Sequence, residues 1–432
     1  MSSVDPVLRE VAVARVQALN ALDGDFPAAV RIVADDMGLS RSSLLRWARR
    51  RLDQGADGVP TRLLGADPIR TATLHLLRQY EVADGMSADE YSEAPQLHPM
   101  AEGKYMSSLA ALQRTGVVKT DYSKGRLRQS VVRLERTAVP QRNGIAWGLG
   151  FSFREASANE PYVITTCIIV TGLLDAMEIA DGEDRDRLAA LAKGALTWLL
   201  DGARREPWNG IEVPTFSQSI PEVVFNVVAQ WSYVLTRAQD IDVLPLSERN
   251  QTADHRGAAT AVLEQFRPNV GWTYGELSTR LDLLHTCYIG NALLHTLPRR
   301  RDQVERALLV STTQFLSPHG WFDRFDMLGA EDAIAQPRRW NARTHRFLDG
   351  AALFGFDRPA RPWSVGELLL LAATSARSGA TAQFWVRQLQ PVATLAIGKY
   401  LETKQFRHSM HLAHGLAAVL EALRQDRKPN QS

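Results

Sequence analysis

Cysteine is nearly absent from this chain. Two cysteines among 432 residues exclude a disulfide scaffold and a four-cysteine zinc site. Long apolar runs are absent too. The longest uncharged stretches near the middle, 161–174 and 223–236, are 14 residues each, short of the roughly 20 a membrane helix needs. The first residues, MSSVDPVLREVAVARVQ, carry charges where a signal peptide is apolar, so a cytoplasmic protein is expected. Charge of one sign is also missing: 50 basic and 48 acidic residues leave a net +2. That excludes a molecule-wide polycation clamping nucleic acid. With 45% hydrophobic and 23% charged residues the composition is that of a folded globular chain. Its length suits about three domains, or one large repeat fold plus something small.

The N-terminal 55 residues read as three short helices. Val7, Val11, Ala14, Val16 and Leu19 fall near the helical period. Asp25 can cap a second helix with Pro27 in its first turn, Gly38 can end it, and Ser40 can cap a third, SRSSLLRWARRR. The spacing of Ala34, Gly38 and Ser40, followed by Leu44 and Trp47, resembles the homeodomain-like helix-turn-helix of transposases and bacterial regulators. The resemblance implies that the helix after Ser40 recognises DNA. Ser40, Arg41, Arg46, Arg49 and Arg50 would be its contacts, since arginine suits both phosphate and guanine. A small trihelical bundle with a solvated basic face is the alternative.

Residues 53–66 are rich in Gly, Asp and Pro and read as a linker. Beyond them a repeat emerges. Thr165, Phe225, His285 and His345 are spaced by 60, and each opens an apolar, small-residue-rich segment. Further copies fall near Tyr105 and His408. Between them lie one-sided helices at 187–200, 258–266 and 304–316. The expected fold is all-α: a small N-terminal three-helix bundle, then an (α/α)6-type toroid of ~60-residue helix pairs. The divisions would be 1–55 for the bundle, 56–100 for linker and first helices, 101–425 for the toroid, and 426–432 for a disordered tail.

Gly271-Trp-Thr-Tyr-Gly-Glu276, followed by Asp282-Leu-Leu-His285-Thr-Cys-Tyr288, resembles α/α-toroid proteins of bacterial polysaccharide biosynthesis and related carbohydrate-active enzymes. The second string also resembles protein prenyltransferase β subunits, whose histidine binds zinc. Their Asp-x-Cys element has no counterpart, since no Asp stands two residues before Cys167 or Cys287. The Asp-x-Asp-Asp of squalene-hopene-type cyclases is missing as well; Asp240-Ile-Asp242 lacks the final acid. No metal or cofactor is therefore expected.

In a toroid, the starts of the inner helices and the loops before them line one mouth. Glu276, Asp282, His285, Asp323 and His345 would converge there as acid–base groups. Trp147, Trp272, Tyr274, Tyr288, Trp321, Arg324, His408 and His411 would contact the ligand, with Arg407 and Trp340 nearby. Aromatic walls with carboxylates and histidines suit a sugar ring. Glu276, beside Trp272 and Tyr274, would be desolvated and a better proton donor. Asp282 and His285 could instead merely cap and pair at a helix start, and the Gly-Trp loops could serve packing alone. Three functions follow: a toroid acting on or binding a carbohydrate and fused to a DNA-binding module, a non-enzymatic DNA-binding regulator with a ligand-sensing toroid, or a degenerate terpenoid cyclase or prenyltransferase relative. Catalysis is left open among them. The expected partners are a saccharide or other small molecule, and DNA.

Overall fold

A computed structural model describes residues 13, 16, 25–37, 39–53, 66–89, 92–154, 156–244, 254–267, 271–276, 278, 280–313, 315–317, 320–321, 324–326, 360–376, 381–401 and 403–425. These residues are mostly helical. Strands occur only as short antiparallel two-stranded ribbons.

Two helices, α1 (Phe26–Met37) and α2 (Arg41–Asp53), build a small core with Val13 and Val16. Val33, Ala34, Leu44 and Ala48 are at its centre, and Trp47 packs half-buried at its edge. Asp25 closes the start of α1, its Oδ1 accepting from the Ala28 N–H at 2.9 Å, which satisfies a donor the helix cannot pair itself. The rest of the expected first helix and Gly38 lie outside the described residues.

The larger core begins at Ile69. It is built by α3 (Ala66–Val82), α4 (Pro99–Arg114), α5 (Thr120–Thr137), α6 (Val163–Met177), α7 (Gly182–Thr197), α8 (Phe225–Asp240), α9 (His255–Glu264), α10 (Leu283–Thr296), α11 (Arg301–Thr313), α12 (Pro362–Ala376), α13 (Ala382–Tyr400) and α14 (Phe406–Gln425). The even-numbered helices from α4 to α14 pack each on the next, and α14 returns to α4, closing a ring of six. Behind them stand the odd-numbered helices: α5 on α4, α7 on α6, α9 on α8, α11 on α10, α13 on α12 and α3 on α14. The region expected as linker and first helices thus supplies an outer helix of the ring.

Composition explains which helices are inside. In α6, VITTCIIVTGLLDAM, every residue but Thr171 is buried, as a helix covered on all sides requires. Small residues let neighbours touch. A Cβ on Gly103 of α4 or Gly172 of α6 would come within 3.0 Å of the other helix's backbone, and the same holds for Gly366 of α12 and Gly415 of α14. Outer helices meet the ring through one face and some buried charge. Glu102 of α4 accepts from Tyr80 of α3 at 2.6 Å and from Arg133 of α5 at 2.7 and 3.0 Å, a bidentate pair that neutralises a carboxylate 2% exposed.

The ring does not keep the uniform 60-residue spacing. Helices α6, α8 and α10 start at 163, 225 and 283, near the expected positions, but the next ring helix is 362–376. The segment at His345 lies outside the described residues. The ring fixes the order of its helices, while the loops between described helices differ in length.

Those loops are unequal at the two ends. Every ribbon falls in a connection leading into a ring helix: β1 (Met86–Asp89) with β2 (Ser92–Leu97) before α4, β3 (Val139–Gln141) with β4 (Gly144–Ala146) before α6, β5 (Arg205–Trp208) with β6 (Ile211–Pro214) before α8, and β7 (Arg280–Asp282) before α10. Beyond α11 come β8 (Leu316–Ser317), β9 (Gly320–Trp321) and β10 (Arg324–Asp326), β10 pairing with β7 so that the Arg324 backbone lies opposite Asp282. Among the described residues the elaborated loops therefore gather at the N-terminal ends of the ring helices. Among the described residues no helix is long and apolar enough to cross a membrane.

Candidate functional site

At the loop end, the residues singled out from sequence are largely committed to one another. Asp282 caps α10. Its Oδ1 accepts from the His285 N–H at 3.2 Å and lies 2.8 Å from the His285 Nδ1, while Arg280 approaches Oδ2 at 3.4 Å. Burial alone would raise the Asp282 carboxyl, but His285 and Arg280 outweigh it and hold the group well below the usual carboxylate range. The His285 ring meets Tyr274 edge-on at 4.7 Å, and the Arg280 guanidinium lies over the Tyr274 ring at 5.0 Å. Burial pushes the Tyr274 phenol up to about 12.

Tyr288 and His411 form a closed pair. The His411 Nδ1 sits 2.5 Å from the Arg407 carbonyl, which can only accept, so Nδ1 carries the proton. The neutral ring then accepts the Tyr288 hydroxyl at Nε2, 2.6 Å away. Burial keeps this imidazole from protonating, lowering its pKa well below the ordinary value. His408 stacks on Trp363 at 4.4 Å, and Arg407 is sandwiched between Trp363 and Phe151 at 4.7 and 4.9 Å.

The structure places several of the expected residues. Trp147 and Trp272 are buried, and their indole N–H groups donate to the Leu134 and Val262 carbonyls at 2.9 and 2.8 Å. They wedge each loop against an outer helix and present no face to a ligand. Glu276 is exposed and accepts from Trp208 at 3.2 Å, so the expected desolvation between Trp272 and Tyr274 does not arise. Tyr288, His408 and His411 are buried. Trp321 and Arg324 are placed by backbone alone, and Asp323, Trp340 and His345 lie outside the described residues.

A further open space lies at the other end of the ring. A cavity of about 420 Å³ runs along the axis and opens where the ring helices finish, within the roughly 300–1,000 Å³ of small-molecule sites. All six ring helices line it. Its floor is Lys104 of α4, 2.5 Å from Glu367 of α12. At its rim a chain of charges runs round the opening. Arg237 of α8 reaches Asp175 at 2.6 Å and Glu178 at 2.8 Å. Arg114 reaches Glu178 at 2.9 Å and Glu421 of α14 at 2.8 Å.

Asp175 and Glu178 stand one turn apart, at the end of α6, yet their carboxyls diverge. Burial would raise Asp175, but Arg237 holds it below the usual range. Burial, then the charge of Asp175, raises Glu178. His414 lines the wall between them and Lys104, and burial drives its pKa down to about 3. Polar atoms in the wall, both Nδ2 and Oδ1 of Asn291 and the His414 Nδ1, are buried without a hydrogen-bond partner. A shallow outer groove of about 780 Å³ between α3, the first ribbon and α14 is larger, but no carboxylate lines it.

Nothing in the sequence singled these residues out. Asp175, Glu178, Arg237 and Glu421 sit near helix ends, where charges are usually solvated. The available signal was that Asp175 interrupts an otherwise apolar inner helix.

At the N-terminal module, Ser40, Arg46 and Arg49 are exposed, while Arg41 is held by Asp35 in a bidentate pair at 2.7 and 2.8 Å. The Arg50 side chain lies outside the described residues.

Comparison with known proteins gives little kinship. No family model matches the chain, and no curated protein does. Among solved structures, a glycoside hydrolase family 76 protein (mannosidase) of Bacteroides thetaiotaomicron VPI-5482 is similar with a TM-score of 0.47 and 10% identity, covering 83% of this chain and 100% of that chain.

Proposed function

We propose that the ring is a six-hairpin (α/α) toroid that binds a carbohydrate in its axial cavity, with Asp175 and Glu178 acting there as base and acid. One observation carries this reading: two carboxylates one turn apart face one cavity, one held ionised by Arg237 and the other pushed towards its protonated form. Separated carboxyls of this kind are what glycosidic chemistry uses, one to protonate and one to accept. Donors and acceptors alternate round the wall, from Arg114, Gln230, Arg237 and Asn291 to Asp175 and Glu421, and such a wall suits a ligand covered in hydroxyls.

The test is a panel of mono- and disaccharides followed by thermal shift, and of chromogenic glycosides followed for release. Glu178→Gln and Asp175→Asn should each lower turnover by about 10²–10⁴-fold while the far-ultraviolet circular dichroism is unchanged. A chain that neither shifts with any sugar nor cleaves any glycoside overturns the reading.

We propose also that the N-terminal module meets DNA through Arg46 and Arg49, two exposed arginines of α2 without an ion pair among the described residues. Arg41, already paired with Asp35, would orient the helix and not read bases. Affinity should fall steeply with salt, and Arg46→Ala with Arg49→Ala should remove it in a low-salt anisotropy assay. Undiminished binding by that double variant overturns the assignment.

A further inference from the structure

The axial cavity is blind. Lys104 of α4 and Tyr288 of α10 stand on opposite sides of the ring, and the Lys104 ammonium lies 5.5 Å from the centre of the Tyr288 ring. Glu367 binds the same ammonium from α12, and His411 of α14 holds the Tyr288 hydroxyl. These four side chains meet across the axis, and all are buried. Every lining residue belongs to a ring helix or its C-terminal cap, and none to the loops at the other end. A ligand enters and leaves by one opening.

The helices set the depth. On α4 the lining runs from Lys104 at the floor to Arg114 at the rim, about 15 Å at 1.5 Å per residue. On α6 it runs from Ile168 to Asp175 and one turn further to Glu178, which leaves about 10 Å below Asp175. A pyranose ring measures roughly 5 Å from O1 to O4, given its bond lengths. One or two rings fit beneath the carboxylates, and the rest of a longer chain stays outside.

The deep wall offers hydrogen bonds of both kinds. Asn291 is 7% exposed, and neither Oδ1 nor Nδ2 of its amide has a hydrogen-bond partner, although the amide is near enough to Glu367 to favour its ionised form. His414, 9% exposed, presents an unpartnered Nδ1. A donor beside an acceptor matches neighbouring hydroxyls, each of which both gives and accepts. The free end of a sugar chain carries such hydroxyls, whereas an internal ring has lost one of them to a linkage. Glu178 stands one turn nearer the opening than Asp175. With Glu178 as the acid, the leaving oxygen is on the outer side of the scissile bond, and the anomeric carbon belongs to the ring inside.

We infer that the cavity takes the non-reducing end of a glycan, seats its terminal ring on Asn291 and His414, and removes one or two sugars at a time. This rests on the axial cavity being the carbohydrate site proposed above. The bond between the anomeric carbon and the leaving oxygen breaks, and the oxygen of a water forms the new bond to that carbon. Glu178 gives its proton to the leaving oxygen, and Asp175 takes one from the water. Exchange with solvent restores both carboxyls.

Hexasaccharides cut from starch, cellulose and β-mannan test this on the full chain, with the first products separated by chromatography. Those products should be a mono- or disaccharide and the complementary penta- or tetrasaccharide. Borohydride reduction of the far end should leave the rate unchanged, and an acetal blocking the hydroxyls of the non-reducing ring should abolish it. In calorimetry a disaccharide should bind within about threefold of its hexasaccharide, because further rings lie outside. Asn291→Ala should weaken that binding about tenfold, the loss of one or two hydrogen bonds; undiminished binding removes Asn291 from the assignment. Trisaccharide as the first product, or affinity climbing with every added sugar, overturns end selection and leaves the carbohydrate site standing. Cleavage lost on reduction but kept after blocking overturns the direction. Failure of every sugar to bind or be cut overturns the site itself and the inference with it.

Discussion

His411 and His414 are buried in the ring and held neutral, and this makes stability depend on pH. Both pKa values lie below the ordinary histidine value in the folded chain, that of His414 at about 3. The unfolded chain takes up protons near pH 6.5, while the folded chain refuses them. Their contribution is therefore complete above about pH 6.5 and is lost as pH falls towards the folded values. Between pH 6.5 and 5, urea unfolding should show stability falling with acidity, and His411→Gln or His414→Gln should each flatten that slope by up to about 1.4 kcal/mol per pH unit. An unchanged slope in the variants would mean the rings are charged inside the fold. The tryptophans give a second residue-scale expectation. Trp147→Phe and Trp272→Phe each remove one indole hydrogen bond from a carbonyl that keeps a second donor, Thr137 Oγ1 or the Gln265 N–H, and should cost about 0.5–1.5 kcal/mol in urea unfolding, with sugar binding unaltered. Lost binding without lost stability would return these rings to the ligand. Sequence conveyed that Asp282 and His285 act together but not how, because an N-cap pair and an acid–base pair use the same residues at the same spacing. The rim charges were illegible for a different reason: they converge from four helices far apart in the chain.

Among the elements, the ring helices are set by how closely backbones approach. Gly415 of α14 faces Gly366 of α12 backbone to backbone, so Gly415→Ala should cost about 3 kcal/mol, the upper end of overpacking, since no side chain can swing away. Gly125 of outer helix α5 has nothing within 4 Å of where its Cβ would stand, so Gly125→Ala should stabilise by about 0.5–1 kcal/mol. Unfolding midpoints moving in opposite directions check both. The same chemistry made helices α6, α8 and α10 readable beforehand, because a helix buried all round is apolar all round, and three of them recur near a 60-residue interval. The interval failed before α12. The segment at His345 has the small apolar composition of an inner helix but lies outside the described residues, and the next described ring helix is at 362–376.

For the whole molecule, the two hydrophobic cores share no residue: one ends at Ala48 and the other begins at Ile69. A chain starting at residue 66 should therefore melt at the same temperature as the full chain and bind the same sugars, as calorimetry can check. A melting point lowered by more than a few degrees would show that the small core supports the large one. The ring itself closes between its first helix and its last, α4 against α14. During synthesis the residues from 114 to 406 must be made in between, about half a minute at roughly 10 residues per second. Until α14 leaves the ribosome, α4 and α12 each present an uncovered apolar flank, and the axial chamber lacks the wall that holds His414 and Glu421. A nascent or prematurely terminated chain has most of the helices but no chamber. Such a fragment offers sticky surface to a chaperone or a protease and nothing to a sugar, so ligand can stabilise only copies that were translated to the end.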